Sequence, residues 1–328
     1  MAISRTSVAA AAPWVAAAAV LILAVVSVFI GVAHVDFSAL WSDPESRQIF
    51  LQSRLPRTFA IILAGSALAV AGLIMQHLAR NRFVAPSTAG TVDAAALGLL
   101  AVTIVAPGTA VMGKIFVACI FALAGTALFI ALIQRVQFKD LVFVPLVGIV
   151  LGGVYAAIGE FFAYRTNLTQ TMSVWMNGDF SGIIQGRYET LWLAGGVAVL
   201  AYVFANWFTA AGMGRDFATN IGVNFRLAMA GGLTIAALVT AVVVTTVGAI
   251  PFLGLIVPNI VTMMLGDNLR RVLPTTALMG AALVLVCDII GRVVIFPYEI
   301  AVGVIVGTIG SAVFLTLILR RSNRYATA

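Results

Sequence analysis

Apolar segments of about membrane-spanning length follow one another along this chain, and they limit its fold more than any other feature. A helix needs about 20 mostly apolar residues to cross the hydrocarbon core of a bilayer. We therefore predict an all-α, polytopic membrane protein with about ten transmembrane helices, forming a single transmembrane domain over residues 1–328. The segments fall at about 13–33, 58–78, 88–106, 115–134, 142–163, 190–210, 227–249, 252–266, 274–291 and 300–320.

Two of these segments are not simple apolar rods. The third has Asp93 near its start, and the eighth is short and contains Pro258. A short helix interrupted by proline is tolerated at membrane depth where protein or a water-filled cavity covers it. We expect the interior of the protein to be more complex than a bundle of straight helices.

Composition agrees with a membrane protein and argues against several other classes. The chain is 62% hydrophobic and 9% charged, whereas soluble domains contain about 25% charged residues. The arginines are scattered singly, which disfavours nucleic-acid binding. Cys119 and Cys287 lie within apolar runs and are interpreted as packing residues. His34 and His77 stand alone, so we predict neither a metal site nor a catalytic residue.

The N-terminal apolar run resembles a signal peptide only superficially. It follows Arg5 and extends over about 20 residues, which is longer than a typical signal core. We interpret it as the first membrane helix and expect it to be retained.

The basic residues predict an orientation. Ten spans place both termini on one side, and cytoplasmic loops are enriched in Lys and Arg. With the termini in the cytoplasm, twelve basic residues lie inside: Arg5, Arg80, Arg82, Arg135, Lys139, Arg215, Arg226, Arg270, Arg271, Arg320, Arg321 and Arg324. Seven lie outside: Arg47, Arg54, Arg57, Lys114, Arg165, Arg187 and Arg292. This distribution favours cytoplasmic termini.

Two connecting segments have features of their own. Residues 169–189 are too polar to span, and Trp175, Met176 and Phe180 predict an interfacial helix on the outer face. Residues 108–115, GTAVMGKI, match a phosphate-binding loop up to Ile115, where Ser or Thr is required. No strand is expected before this loop, so the match is interpreted as accidental.

Charged and small residues inside the spans allow more than one interpretation. Asp288 and Arg292 are four residues apart, so they can form a structural ion pair, or Arg292 can serve in docking. Glu160 is interpreted as a charge at a helix end. Two glycine pairs with a spacing of four predict close helix contacts, within the chain or at a subunit seam: Gly148 with Gly152, and Gly303 with Gly307.

A polar stretch with an apolar rhythm separates the sixth and seventh spans. It reads GRDFATNIGVNFR over residues 214–226, with Phe217, Ile221 and Phe225 four apart. The spacing predicts one apolar face of a helix, and Gly222 can end one helix before the next begins. A solvated amphipathic loop on the bilayer surface is the alternative.

Four ordered motifs resemble the FecCD-type permeases, the membrane subunits of ABC importers for iron-siderophores, haem and cobalamin. They read SRLPRTFAIILAGSALAVAGLIMQHLARNRFVAPSTAG, ATNIGVNFRLAMAGGL, GAIPFLGLIVPNIV and FPYEIAVGVIVGTIGSAVFLTLILRR. Together they extend from about Gln52 to Arg321. The stretches NRFVAPSTAGTVDAAALG and PYEIAVG look most like the branch that handles catecholate or mixed siderophores.

The resemblance implies a type II ABC importer permease with ten transmembrane helices, located in the bacterial inner membrane. It implies a second permease subunit, two cytoplasmic ATPases that hold ATP and magnesium, and an extracytoplasmic substrate-binding protein. Ferric siderophore would be the cargo, with no cofactor on this chain. Haem or cobalamin transport within the same family, or ion-coupled secondary transport, are the alternatives; a membrane-embedded enzyme lacks the residues it would need.

The resemblance also assigns roles to individual residues. It places residues 211–226 in coupling helices that contact the ATPase, with Arg215, Phe217, Ile221, Gly222 and Phe225 as the contact residues. Docking of the binding protein is assigned to Arg54, Arg57 and Arg292. Asn81 and Phe83 fall in the loop that narrows the path, although Arg82 and Phe83 depart from the usual residues. The spans that contain the glycine pairs, Gly148, Gly152, Gly303 and Gly307, line the subunit seam in relatives.

Overall fold

The computed structural model describes residues 5–31, 41, 43–135 and 143–326, and of residues 5–10 and 317–326 it describes the backbone alone. This part of the chain is almost entirely helical and contains no strand. Its helices are α1 Arg5–Phe29, α2 Pro44–Ile49, α3 Leu55–Leu78, α4 Thr91–Val105, α5 Val111–Arg135, α6 Phe143–Arg165, α7 Thr169–Met176, α8 Leu191–Val203, α9 Ala205–Gly212, α10 Arg215–Asn220, α11 Phe225–Val247, α12 Leu253–Leu265, α13 Leu269–Val293 and α14 Val302–Ala326, with a π-helical turn Phe50–Arg54 before α3.

The helices coincide with the apolar segments of the sequence. Six of them are long and apolar enough to cross a membrane, and the pair α8 and α9, bent by 66°, forms a seventh candidate span. The apolar helices α4, α12 and the portion Val302–Thr316 of α14 are shorter. They match the predicted third, eighth and tenth segments, which confirms the all-α polytopic class.

Helix α3 lies at the centre of the bundle. It packs against α8, α11, α12 and α13, and most of its surface is buried. The approach is closest where glycines face each other, because a Cβ at Gly72 would lie 1.9 Å from the Gly254 carbonyl oxygen and one at Gly65 would lie 2.8 Å from that of Gly280. Small residues permit such contacts between membrane helices, where packing rather than hydrophobicity drives association.

A side chain replaces the backbone hydrogen bond that Pro258 removes from helix α12. Proline has no N–H, so the carbonyl of Gly254, four residues earlier, loses its helical partner. Gln76 of α3 lies at this position, and its Nε2 donates to the carbonyls of Gly254 at 3.4 Å and Leu255 at 3.2 Å. The Asn259 amide also donates to the Leu255 carbonyl, at 2.8 Å. The expectation that protein covers this interrupted helix is confirmed.

We expect Gln76→Leu to lower the thermal stability of the purified protein, because it leaves the Gly254 carbonyl buried without a donor, at a cost of about 1–3 kcal/mol. Pro258→Ala returns the missing N–H to the helix. The double variant Gln76→Leu/Pro258→Ala should therefore melt above Gln76→Leu alone. Melting curves of the four proteins in one detergent measure this, and a double variant no more stable than Gln76→Leu would contradict the assignment.

The segment 169–189 differs from its prediction. Only Thr169–Met176 is helical, and Phe180 is fully buried rather than interfacial. The backbone that follows is inserted between span ends, since Gly178 N donates to the Ala249 carbonyl and Gly303 N donates to the Gly178 carbonyl, each at 2.8 Å. Ordered backbone partners, which sequence composition does not show, hold this segment inside the bundle.

Candidate functional site

Polar residues gather at two opposite ends of the bundle. The Arg57 face comprises the start of α3, the end of α13 and the loop before α14, and it includes Arg57, Asp288, Arg292 and Glu299. The Arg80 face comprises the end of α3, the loop after it, helix α10 and the starts of α11 and α13.

Arg57 is the centre of a buried ion cluster at the Arg57 face. Its Nε and Nη2 donate to Asp288 Oδ1 at 3.1 and 2.7 Å, and its Nη1 donates to Glu299 Oε1 at 3.1 Å. Asp288 also pairs with Arg292, one turn away on the same helix. The structural ion pair between Asp288 and Arg292, which the sequence left open, is therefore present. Arg57 binds the same Asp288 carboxylate.

The other two arginines of the predicted docking set hold the end of helix α1. The Arg292 Nη1 donates to the carbonyls of Ser27 at 2.8 Å and Ile30 at 2.7 Å, and Arg54 Nη1 donates to the Ile30 carbonyl at 2.5 Å. The last carbonyls of a helix have no intrahelical partner, and cations are favoured near them. Two arginines therefore tie α1 to α3 and α13.

All three predicted docking arginines are buried within this chain. Arg54 and Arg57 are each 9% exposed and Arg292 is 3% exposed. Most of each side chain is covered by this chain, and the docking role stays a prediction. Glu299 and Ser27 are members of the cluster that the sequence interpretation missed. Glu299 lies in the quoted PYEI stretch, and its charge beside an apolar helix was the available signal.

A cavity of about 840 Å³ opens beside the cluster at the Arg57 face. Its lining is polar and includes Glu45, Gln48, Gln52, Arg54, Arg57 and Glu299. Glu45 and Gln48 belong to the short helix α2, whose N-cap Asp43 accepts hydrogen bonds from the backbone of Glu45 and Ser46. Hydrogen bonding to Ser46 lowers the pKa of Asp43.

The predicted coupling segment forms a helix, a turn and the start of a second helix at the Arg80 face. Helix α10 ends at Asn220, and Gly222 adopts φ +80°, a conformation that favours glycine. Asn224 then caps α11 by accepting from Leu227 N at 3.2 Å. The break between two helices at Gly222 agrees with the prediction.

The apolar face of this segment differs in one residue from the prediction. Phe217 and Ile221 are 47% and 55% exposed, whereas Phe225 packs against the core. The turn at Gly222 interrupts the helical spacing, so the third residue no longer shares the face of the first two. Met213 and Leu227, which the sequence interpretation did not single out, are exposed nearby.

The predicted path residues form a compact turn. Asn81 is buried, and its Oδ1 accepts from Phe83 N at 2.8 Å. The Phe83 ring contacts that of Phe314 edge-on, with centroids 5.7 Å apart, and Phe314 in turn contacts Phe252. This arrangement connects the turn to α12 and α14. A gating role for Asn81 and Phe83 stays a prediction.

His77 and Arg82 connect the same turn to the loop between α12 and α13. The two ring nitrogens of His77 lie 3.0 Å from the Leu73 carbonyl and 3.1 Å from the Asp267 carbonyl. Arg82 Nη2 pairs with the Asp267 carboxylate at 2.9 Å. The sequence assigned no role to His77; it forms a structural contact between the end of α3 and the loop between α12 and α13.

The glycine pairs lie against backbone and side chains of their own chain. A Cβ at Gly148 would lie 2.0 Å from the Thr88 carbonyl oxygen, and one at Gly152 would lie 2.6 Å from Asp93 Oδ2. A Cβ at Gly303 would lie 2.6 Å from Gly178 N, and Gly307 faces Pro251. These contacts explain the spacing without a second subunit. The subunit seam stays a prediction, and the exposed apolar sides of α6 and α14 are the surfaces that would form it.

The described part of the chain gathers no cluster of metal-ligand side chains around the remaining candidates. It contains no group of three or more His, Cys, Asp or Glu able to hold a metal ion. Cys119 and Cys287 are free thiols, and the turn at 108–115 leads into a helix with no strand before it among the residues seen. Glu160 is exposed near the end of α6. His34 lies outside the described residues.

Comparison with known proteins adds a consistent set of relatives. The profile of the FecCD transport family matches residues 19–320. The chain is 48% identical over 303 residues to the petrobactin import system permease protein YclN of Bacillus subtilis, covering 92% of this chain and 96% of YclN. It is 42% identical to the ferric-anguibactin transport system permease protein FatD of Vibrio anguillarum, covering 91% and 95%. The hemin transport system permease protein HmuU of Yersinia pestis is 31% identical, with 92% and 93% covered.

A solved structure shares the fold. It is an inward-facing conformation of a transporter described as a metal-chelate type ABC transporter, and it superposes with a TM-score of 0.78. The match covers 94% of this chain and 98% of that one at 23% identity. The arrangement of helices described above is therefore shared with that transporter.

Proposed function

The chain belongs to the FecCD transport family, and from this membership we propose that it is the transmembrane permease subunit of an ATP-driven importer of ferric siderophores in the bacterial inner membrane. The observation that carries the proposal is full-length similarity to siderophore permeases, at 48% and 42% identity. The hemin permease is more distant, at 31%. The role of the present chain would be transport, and a separate chain would hold ATP with magnesium.

The distribution of charge supports an orientation with the Arg80 face in the cytoplasm. The sequence places twelve Lys and Arg on this side of the spans and seven on the side of the Arg57 face. At the Arg57 face, Arg57 and Arg292 are paired with carboxylates of this chain. An excess of Lys and Arg marks the cytoplasmic side, so both termini would lie in the cytoplasm.

In the proposed cycle, a loaded binding protein docks at the Arg57 face and two ATPases act at the Arg80 face. The exposed side chains of Phe217 and Ile221 would enter a groove of an ATPase. Helix α11 begins within this segment, at Phe225, and packs against α3. A force on α10 would therefore reach the centre of the bundle. A second permease subunit would complete the path, and no covalent chemistry would occur on this chain.

We expect Phe217→Asp to reduce ATPase recovery with the tagged permease at least tenfold, because it places a charge on the apolar contact surface. Thr219→Asp is the matched control: it adds the same charge on the opposite side of helix α10, and should retain the ATPase. Gentle-detergent purification from native membranes, with mass spectrometry of the co-purifying chains, measures both. Equal ATPase recovery from Phe217→Asp and the wild type would contradict the contact surface.

The cargo is tested separately by uptake. A strain that lacks this permease should lose accumulation of radioactive iron supplied as ferric petrobactin or ferric anguibactin, and regain it with the wild-type gene. Haem and cobalamin uptake should not change. Restored uptake of haem or cobalamin instead would move the protein to another branch of the family, and uptake that persists without an ATPase would exclude the importer.

A further inference from the structure

A second cavity at the Arg80 face combines cationic and apolar walls. It has a volume of about 490 Å³ and lies between the end of α3, the last turn of α5, the first turn of α6 and the start of α11. Arg80 and Arg215 supply its charge. Ile130, Ile133 and Val144 belong to its apolar wall. Span ends surround it, so it lies at the boundary between membrane and water.

The two arginines of this cavity have no anionic partner within the described part of the chain. The ion pairs found there involve Arg57, Arg82 and Arg292. Arg80 and Arg215 are both exposed and are absent from these pairs. Arg82, two residues from Arg80, pairs with Asp267 instead. Two neighbouring positive charges in one cavity repel each other unless an anion lies between them.

The Arg80 side chain reaches the residue next to Arg215. Arg80 adopts φ +51°, which is uncommon for a residue other than glycine. Its Nη1 lies 3.5 Å from the position of a Cβ at Gly214, the residue before Arg215, which is an ordinary van der Waals distance. The Arg80 guanidinium therefore lies beside the segment that begins α10.

The ligand chemistry follows from this combination. Guanidinium groups bind phosphate oxygens through paired hydrogen bonds. Basic pockets between membrane helices on the cytoplasmic side bind anionic lipid headgroups. The apolar wall suits the first carbons of an acyl chain, which inorganic phosphate lacks. The volume accommodates a phosphoglycerol headgroup with a short length of chain, not a whole lipid.

We propose that this cavity binds the phosphate of an anionic phospholipid, with Arg80 and Arg215 as its ligands and the ends of α5 and α6 against its acyl chains. The site goes beyond transport itself, because it requires only that the protein spans a membrane. Since Arg215 begins the proposed coupling segment, a bound lipid would also restrain the first turn of α10.

The test uses the full-length protein, purified and then depleted of native lipid in phosphatidylcholine nanodiscs. Native mass spectrometry and melting temperature are followed as dioctanoyl-phosphatidylglycerol is added. We expect saturable binding and a rise in melting temperature for the wild type. Arg80→Gln/Arg215→Gln should bind at least tenfold more weakly. The control, Arg270→Gln/Arg271→Gln, removes the same charge from the same face outside the cavity and should bind like the wild type.

Three results would overturn the proposal. Equal weakening by both double variants would mean that general surface charge attracts the lipid. An equal response to dioctanoyl-phosphatidylcholine would mean that headgroup charge is not recognised. A shift produced equally by inorganic phosphate at the same concentration would assign the arginines to a free anion. If the cavity variant does not fold, the wild-type titrations still test the second and third results, and weakened binding by Arg270→Gln/Arg271→Gln would still reveal attraction by general surface charge.

Discussion

Asp288→Asn is expected to destabilise this permease by about 3–5 kcal/mol, the cost of removing one partner from a buried ion pair. Asp288 is fully buried and accepts from both Arg57 and Arg292. In the wild type, Arg57 and Arg292 pair with Asp288, and Arg57 also pairs with Glu299; the variant leaves Arg292 without its carboxylate and Arg57 with Glu299 alone. Melting temperature in detergent, together with the yield of monodisperse protein, measures the effect.

Two controls separate charge imbalance from other causes. Glu160→Gln removes an exposed carboxylate from another membrane helix and should leave the melting temperature nearly unchanged. Asp288→Asn/Arg292→Gln restores the original charge difference and should recover part of the loss. If the single variant Asp288→Asn were as stable as the wild type, water would reach the cluster. That result would support the interpretation that its arginines are available for docking.

Gly72→Ala is expected to have the second large effect, although it adds only one methyl group. The new Cβ would lie 1.9 Å from the carbonyl oxygen of Gly254 and 2.4 Å from its Cα. Both neighbours are backbone atoms of α12, so the helices must separate rather than repack a side chain. Overpacking costs about 1–3 kcal/mol in well-packed cores, and we expect at least the upper end here.

Gly231→Ala is the matched control, because it makes the same change inside helix α11. A Cβ at Gly231 meets no atom within 4 Å. Alanine is favoured over glycine in helix interiors by about 0.5–1 kcal/mol, so this variant should melt at or above the wild type. If Gly72→Ala had the same melting temperature as Gly231→Ala, helices α3 and α12 would not be in backbone contact as described.

Residues 211–226 show over what length of chain the spacing of apolar residues predicts one face of a helix. The break at Gly222 and the exposure of Phe217 and Ile221 were predicted correctly, because glycine and apolar spacing act over one or two helical turns. Phe225 was assigned to the same face and instead packs inward. A turn changes the direction of the chain, so a spacing of four no longer defines a face beyond it.

The arginines of the Arg57 face show that local sequence does not predict contacts between residues far apart in the chain. Their positions at span ends were visible in the sequence, and so was the possible pairing of Asp288 with Arg292, since that pair is separated by one helical turn. The contact between Arg57 and Asp288 joins residues 231 positions apart. Nothing in either local segment indicates it, and it buries the side chains that were expected to face a partner.

By itself, the sequence determined the membrane class, the positions of the spans and the family, because the transfer of each residue into lipid depends on that residue and its immediate neighbours. Tertiary structure alone decided which spans contact one another, that Gln76 satisfies the carbonyl freed by Pro258, and that Arg57 joins Asp288 to Glu299. In lipid these pairings depend on close packing and on polar groups finding partners, and both are properties of helices brought together from distant parts of the chain.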